Sequence, residues 1–250
     1  MFNTYIINLK RDYERYVILK DRLNKIGITP TRYDAIDGKN IPEKYNSDLT
    51  YLSGIFSTDT MKGCGLSHLD VIRNFYNNDP NDYALILEDD AIPLFNDKQK
   101  IEELVHKYND YDCILLYTQG IRLFYGSTAA YIITKKGAEK VLKYKLPPVH
   151  VDAHLWYICN LKIKNLMIDE GIQLFSTDEK KSYTRRGKNN SCIMDKIIPF
   201  YGNLNFFDYL EFRLFKIPFI NYEVNGKTIF ILMIITTIIT MLIVILLIFI

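Results

Sequence analysis

Apolar segments of strand length alternate with segments of helical spacing along residues 1–197, and this alternation restricts the fold more than any other feature. TYIINL (4–9) predicts a buried strand, and the apolar spacing from Tyr16 to Ile26 predicts a helix that ends at Gly27. The pattern then continues as strand YALILED (83–89), helix KQKIEELVHKYN (98–109), strands CILLYT (113–118) and STAAYIIT (127–134), helix KKGAEKVLKY (135–144) and strand LKIKNLMI (161–168). Such alternation predicts an α/β layered, largely parallel sheet with flanking helices, and binding sites at the carboxyl ends of its strands.

The region between the first helix and YALILED is less regular. TRYDAID (31–37) predicts a second strand that ends in an Asp-Gly turn at Gly38. Residues 39–62 show no clear period and predict a loop insertion. Gly63 and Gly65 predict a tight turn before a helix over 64–77.

Three consecutive acids, Glu88, Asp89 and Asp90, follow the apolar strand YALIL. Strand geometry sends the first and third acid to one side and the second to the other. A carboxylate at the edge of a hydrophobic core lowers the stability of the fold unless it is paired with a cationic side chain, hydrated or bound to a cation. The pattern predicts a site for a hard divalent cation, Mg²⁺ or Mn²⁺, with a hydrated acidic turn as the alternative.

Other chemically useful residues also follow strand ends. Asn8, Lys10, Arg11 and Arg15 come after the first strand, where cations beside a helix start can hold a phosphate; a solvated helix face is the alternative.

Two further stretches carry histidine. In GCGLSH (63–68), Cys64 and His68 are spaced as a thiol nucleophile or a metal pair would be, but no further ligands lie nearby in sequence and a structural histidine is favoured. In PPVHVDAHLW (147–156), Asp152 lies between His150 and His154. The pattern allows the two histidines to be metal ligands or hydrogen-bond partners of Asp152, and the alternative is that all three are surface residues of a loop without a functional role.

Composition limits the possible partners and the compartment. The formal net charge of the 250 residues is only +2, which gives no global signal for nucleic acid or another polyanion. The four cysteines are far apart, without a CxxC pair, so they favour a reducing compartment over a disulfide scaffold or zinc knuckle.

The last residues predict a membrane anchor. Residues 228–250 carry no charge and are long enough for a transmembrane helix, with a buried core helix as the alternative. Because the amino terminus shows no signal peptide, the predicted tail anchor leaves the catalytic domain cytosolic. The aromatic segment 198–227 predicts a juxtamembrane helix in the membrane interface, or a last helix that closes the domain. The predicted domain itself spans 1–197.

Taken together, the motifs resemble glycosyltransferase family 25, the lipooligosaccharide-biosynthesis and procollagen galactosyltransferase-like family. The resemblance rests on the order of YIINLKRDYERYVILKDRL, YDAIDGK, GCGLSH, LILEDDA, STAAYIITKKGAEKVL and PPVHVDAHL over roughly residues 3–175. It implies a GT-A-type α/β fold and transfer of a hexose, galactose or glucose, from a UDP-sugar to a hydroxyl on a glycan or protein. Inversion at the anomeric carbon and a Mn²⁺ (or Mg²⁺) cofactor are also implied.

The resemblance also assigns roles to residues. It implies that the donor site includes Asn8, Arg11, Arg15, Asp37, Ser67, His68 and Asp89. It implies that the acids after YALIL are the family's metal motif, with the metal held by Asp90 and with Glu88 or Asp89 assisting. Asp152 matches the aspartate of a Pro-Val-Asp motif that here contains an inserted His-Val, and it is the predicted catalytic base. His154, or alternatively His150, is a predicted further metal ligand.

Three other functions remain open at this stage. The same acids would serve a metal-dependent phosphotransferase or nucleotidyltransferase. A non-catalytic, membrane-tethered binding module of the same fold is a second alternative, although the intact Glu-Asp-Asp sequence argues against it. A purely structural membrane protein would leave the charged strand ends unexplained.

Overall fold

A six-stranded sheet lies at the centre of the fold. The computed structural model describes residues 2–118, 127–178, 213–217 and 222–248. Its strands are β1 (Phe2–Asn8), β2 (Thr31–Asp34), β3 (Tyr83–Glu88), β4 (Ala91–Pro93), β5 (Cys113–Leu115), β6 (Ala130–Thr134), β7 (Ile163–Asn165), β8 (Phe175–Thr177), β9 (Arg213–Ile217) and β10 (Tyr222–Asn225). The central sheet has the order β2-β1-β3-β6-β5-β7.

The sheet is largely parallel, as predicted. β1 runs parallel to β2 and β3, and β5 runs parallel to β7, whereas β6 is antiparallel to both of its neighbours. The apolar residues 84–87 of β3 are fully buried because this strand is central and covered on both faces. The chain therefore encodes β3 as a continuous apolar run rather than as an alternating one.

Helices cover both faces of the sheet. The helices in the described part of the chain are α1 (Tyr13–Lys25), α2 (Tyr51–Phe56), α3 (Asp59–Asn78), α4 (Gln99–Lys107), α5 (Lys135–Val141), α6 (Val151–Ala153), α7 (Leu166–Glu170) and α8 (Gly226–Ile248). Leu19 and Leu23 of α1 pack with α4 in one core, and Ile72 and Phe75 of α3 pack with α5 in the other. The α/β part of the predicted fold class is thus found.

The connection from β2 to β3 crosses β1, which makes the carboxyl ends of β1 and β3 a topological switch point. β1 first leads to β2 on one side, and the chain then returns to place β3 on the other side of β1. Ligands of open α/β sheets bind where the strand order reverses in this way. The acids after β3 and the cations after β1 therefore meet at the expected edge.

Two predictions for residues 39–65 are wrong. Instead of a featureless loop, 39–62 contains a 3₁₀ turn (Glu43–Asp48), α2 and the beginning of α3. The Gly63–His68 motif does not precede a helix but lies within α3, because Thr58 caps the helix by accepting a hydrogen bond from the Met61 amide at 3.2 Å.

The predicted transmembrane anchor is not supported. α8 carries apolar, exposed side chains over 231–242, the part of this helix whose side chains are described. Among the described residues no helix is long and apolar enough to cross a membrane. The predicted span at 228–250, the single-pass localisation and the lipid partner are therefore wrong by this criterion.

The juxtamembrane segment differs from prediction where it is described. Arg213–Ile217 and Tyr222–Asn225 form an antiparallel strand pair rather than an interfacial helix. The remainder of 198–221 lies outside the described residues. Extended backbone in an aromatic and β-branched sequence is consistent with strand propensity.

Candidate active site

A cavity of about 170 Å³ opens at the switch point of the sheet. Its walls come from the ends of β1 and β3, the segment after β2 and the first turns of α3. Most of the residues predicted from sequence line it, namely Arg11, Arg15, Asp37, Ser67, His68, Glu88, Asp89 and Asp90. Asn8, Asp152 and His154 are not among the lining residues.

Asp89 is anchored by two partners at the base of this cavity. It accepts a 2.7 Å hydrogen bond from the Asn8 amide and pairs with Arg15 at 2.6 Å. Arg32 in turn donates to Asn8 Oδ1 at 2.9 Å, which turns the Asn8 Nδ2 group toward Asp89. Burial raises the pKa of Asp89 to about 6, against the opposing effects of Arg15 and Asn8. The side chain of Asp89 is therefore mainly ionised at neutral pH, and its two oxygens are bound to Asn8 and Arg15.

Glu88 faces α3 on the other side of the strand end. Its Oε1 accepts a 2.6 Å hydrogen bond from Thr128 and lies 3.4 Å from His68 Nε2. Burial alone would raise the pKa of Glu88, but His68 and the Thr128 hydroxyl hold it below its ordinary value. The carboxylate is thus oriented and anionic, as a cation ligand must be.

Asp90 has an uncommitted carboxylate oxygen. The side chain is only 8% exposed, and its Oδ1 has no hydrogen-bond partner among the described residues. Burial, followed by the negative charge of Glu88, raises the pKa of Asp90 to about 7. A divalent cation would satisfy the oxygen and relieve the repulsion between the two acids, so the carboxylates present fit a hard cation.

The segment after β2 is fixed against α3. Ser67 Oγ donates to the Gly63 carbonyl at 2.6 Å and accepts from the Ile36 amide at 2.8 Å. This clamp positions Asp37, which pairs with Arg11. The backbone amide of Lys39, and then Arg11, lower the pKa of Asp37. The predicted donor residues Asp37 and Ser67 are therefore brought together.

Cys64 and His68 lie side by side on α3 and approach Glu88. The possible ligand atoms of these three residues all lie within 4.8 Å of one another. Burial, and then the charges of Glu88 and Asp152, raise the pKa of the Cys64 thiol well above its ordinary value. A protonated thiol is a poor nucleophile, so this geometry does not favour the thiol-nucleophile alternative.

The structure separates Asp152 from His154. Asp152, in α6, accepts a hydrogen bond from the Ala153 amide and is half-buried. His154 is fully buried, with its Nε2 3.5 Å from Cys159 Sγ, and burial lowers its pKa to about 4. His154 therefore lies in the core rather than with Glu88 and Asp90.

A comparison with family models shows which family the chain belongs to. Residues 1–127 match the family described as "Glycosyltransferase family 25 (LPS biosynthesis protein)". The chain belongs to glycosyltransferase family 25. This family 25 protein is accordingly a glycosyltransferase. The matched region contains the switch point, the acids after β3 and the start of α3, whereas Asp152 and His154 lie beyond it.

Solved structures resemble the family 25 chain only distantly. One is "A197 from STIV", with 13% identity, a TM-score of 0.42 and coverage of 66% of this chain and 81% of that one. Another is a mutant Drosophila beta-1,4-galactosyltransferase 7 in complex with manganese, UDP-Gal and xylobiose, with 11% identity, a TM-score of 0.45 and 84% coverage of each chain. Likenesses of this degree do not define a substrate or a metal. The chain matches none of the curated proteins with which it was compared.

Sequence reasoning missed three residues that complete the site. Thr128 binds Glu88, Tyr131 binds His68 and Arg32 fixes Asn8. Thr128 and Tyr131 lie just before and within β6, which pairs with β3, and Arg32 lies on β2 beside β1. Strand pairing would indicate all three. Thr128 and Tyr131 lie in the STAAYIIT motif, but that motif does not reveal their partners.

Proposed function

We propose that this glycosyltransferase moves a hexose, galactose or glucose, from a UDP-sugar to a hydroxyl of a glycan or protein, with inversion and with a divalent cation, Mn²⁺ or Mg²⁺. The observation that carries the proposal is the Asp90 Oδ1 atom, which has no hydrogen-bond partner in the described part of the chain and feels the charge of Glu88 at the carboxyl end of β3. These acids share one cavity with Arg11 and Arg15. Together they offer a cation site and guanidinium groups, as a sugar diphosphate requires.

Departure of the nucleoside diphosphate builds negative charge on phosphate oxygens and oxocarbenium character on the sugar. Asp90 and Glu88 would hold the divalent cation, which would supply positive charge for the leaving diphosphate when bound. Arg11 and Arg15 line the same cavity and would donate charge-assisted hydrogen bonds to it. Asp89 holds Arg15 in place, which makes it a positioning residue and not a metal ligand in this proposal.

Inversion needs a base that takes the acceptor proton on the side of the sugar opposite the leaving group. Asp152 is the proposed base. Its carboxylate lies close enough to the cavity for its charge to raise the pKa of the cavity residue Cys64. His154, buried beside Cys159, is not retained as a proposed metal ligand.

A donor screen tests the proposal. The full chain is incubated with Mn²⁺ and UDP-galactose, UDP-glucose or a GDP-sugar, with and without sugar acceptors, and the products are analysed by NMR. We expect turnover of one UDP-hexose, with the opposite anomeric configuration in the product. Phosphate transfer that needs no sugar acceptor would instead favour the phosphotransferase alternative, and failure of every sugar nucleotide to bind or react would refute the proposal.

Asp152→Asn tests the base separately. We expect a fall in kcat of about 100-fold with donor affinity unchanged, because proton transfer contributes about that much. The exposed Asp21→Asn on α1 is the matched control. An unaltered kcat for Asp152→Asn would remove this residue from the mechanism and leave the rest of the proposal standing.

A further inference from the structure

Cys64, His68 and Glu88 form a compact group of ligand atoms on the cavity wall. The first two are four residues apart on α3, which places both side chains on one face of the helix, as in helical zinc-binding motifs. Glu88 reaches the same point from the end of β3, and the three ligand atoms lie within 4.8 Å of one another. A helix and a strand thus supply one sulfur, one nitrogen and one oxygen.

His68 is oriented as metal-binding histidines are. A 2.9 Å hydrogen bond joins its Nδ1 to the Tyr131 hydroxyl. Cation binding requires the tautomer in which Nδ1–H donates to Tyr131, because Nε2 must lose the proton that it directs at Glu88 in the metal-free protein. Nε2 is buried, has no hydrogen-bond partner among the described residues and lies 3.4 Å from Glu88 Oε1. Protein partners of this kind on the second ring nitrogen are typical of histidine ligands.

Glu88 is supported in the same way. The Thr128 hydroxyl donates to Oε1 at 2.6 Å, and Thr128 is itself buried. Two of the three potential ligands are therefore held by neighbouring side chains from the β6 region.

We propose that Cys64, His68 and Glu88 bind Zn²⁺ or a similar borderline-soft divalent cation. Three protein ligands with a fourth position open to the cavity form a set that zinc accepts. Ligand atoms around tetrahedral zinc are roughly 3.5 Å apart, so binding requires a closure of about 1 Å from the present arrangement. The Cys64 thiol loses its proton to solvent as the sulfur–metal bond forms.

This site differs in chemistry from the proposed sugar-diphosphate cation site. A thiolate and an imidazole select softer cations than the carboxylate oxygens of Asp90 do. The zinc site shares Glu88 with the other site but not Asp90, and its formation does not depend on the transferase reaction. Occupation would tie the first turns of α3 to the end of β3.

Cobalt is the probe for this proposal. Metal-free, reduced full chain is titrated with Co²⁺, and the thiolate-to-cobalt charge-transfer absorption and the d–d bands are recorded. We expect one tightly bound Co²⁺ per chain, a sulfur charge-transfer band, tetrahedral d–d bands and displacement by Zn²⁺. Cys64→Ala should remove the band and weaken binding at least about 100-fold, because a ligand is lost.

Two further variants separate the possible outcomes. Cys113→Ala, in buried β5, is the matched cysteine control and should keep the band. Asp90→Asn should also keep it, because Asp90 is outside the proposed ligand set. Absence of the band in the wild-type chain, its persistence in Cys64→Ala or its loss in Asp90→Asn would overturn the proposal.

Alkylation of the wild-type chain gives a test that does not depend on whether a variant folds. Iodoacetamide modification of Cys64 is measured by peptide mass spectrometry with and without Zn²⁺. We expect Zn²⁺ to slow modification of Cys64 by at least about 10-fold, because the coordinated sulfur is not free to react. Buried Cys113 is the internal reference. Equal modification rates with and without Zn²⁺ would contradict the assignment.

Discussion

The Asn8 amide donates a 2.7 Å hydrogen bond to Asp89 across the switch point between β1 and β3. Arg15 pairs with the other carboxylate oxygen of Asp89 at 2.6 Å. The strand that supplies the acids is thereby tied to the strand and helix that supply the cations. Because both carboxylate oxygens of Asp89 are bound to protein partners, Asp90 rather than Asp89 is available to bind a ligand.

Arg15→Gln is expected to destabilise the protein by about 3 kcal/mol at pH 8, because it leaves Asp89 buried without its cation. The side chains of Arg15 and Asp89 are each 13% exposed, so solvent does not replace the lost partner. The loss should be smaller at pH 5, where Asp89, with a pKa raised to about 6, is mostly protonated. Urea unfolding at the two pH values measures both quantities.

Arg22→Gln is the control for this prediction, because Arg22 is an exposed arginine on the same helix. It should change the free energy of unfolding by less than about 0.5 kcal/mol. A loss below about 1 kcal/mol for Arg15→Gln, or one that does not depend on pH, would show that the ion pair does not hold Asp89.

Asp90→Asn is expected to stabilise the metal-free protein and to inactivate the enzyme. Ionisation of Asp90 is unfavourable in the folded state, since burial and Glu88 raise its pKa to about 7, so a neutral amide should add at least about 1 kcal/mol at pH 8. Sugar transfer should fall about 100-fold, because an amide cannot replace an anionic ligand. Urea unfolding and a Mn²⁺ titration of activity test the two parts; a destabilised but active variant would contradict both.

The largely parallel sheet and the position of the acids and cations at strand ends could be predicted because they follow from local sequence. An apolar run followed by acids is readable as a strand end, and parallel strands bring their ends to one edge. The partners of these acids could not be predicted in the same way. Thr128 reaches Glu88 only through the pairing of β6 with β3, a contact 40 residues away in sequence.

The error at the glycines of α3 has a physical cause. Glycine is a poor helix former, so the sequence at Gly63 and Gly65 predicts a turn. In the structure both are inside the helix, where a Cβ at Gly63 would lie 2.6 Å from the Gly38 nitrogen and one at Gly65 would lie 2.3 Å from Leu146 Cδ2. Close packing, rather than backbone freedom, requires glycine here, and packing distances are not visible in a single sequence.

Gly63→Ala should therefore disturb the donor side of the cavity. The added methyl group would collide with the backbone of Ile36 and Gly38, which flank Asp37, so the segment must move. We expect donor affinity to fall at least about 10-fold, with a loss of about 1–3 kcal/mol in stability from overpacking. Calorimetric donor binding and urea unfolding provide the measurements.

Gly54→Ala is the matched helical control, because no described atom would lie within 4 Å of its Cβ. It should leave donor binding unchanged and stabilise the protein slightly, since alanine favours a helix by about 1 kcal/mol over glycine. Equal effects of the two substitutions on donor binding would mean that the contact between α3 and the Asp37 segment does not shape the cavity.

His154 should make stability fall in mild acid. Burial lowers its pKa from 6.5 to about 4, so between these values the unfolded chain binds a proton that the folded chain does not. The resulting loss of unfolding free energy is absent above pH 6.5 and grows as the pH falls to 4, where it reaches at most about 3 kcal/mol. His154→Gln, which cannot titrate, should therefore show a shallower decline of unfolding free energy over this range.

The exposed His106→Gln of α4 should behave as the wild type does. Asp89 and Asp90 have raised pKa values, so their contribution to the free energy of unfolding changes in the opposite direction over similar pH values. The difference in unfolding free energy between His154→Gln and the wild type therefore isolates the contribution of His154. Identical slopes for the two proteins would show that the pKa of His154 is not lowered.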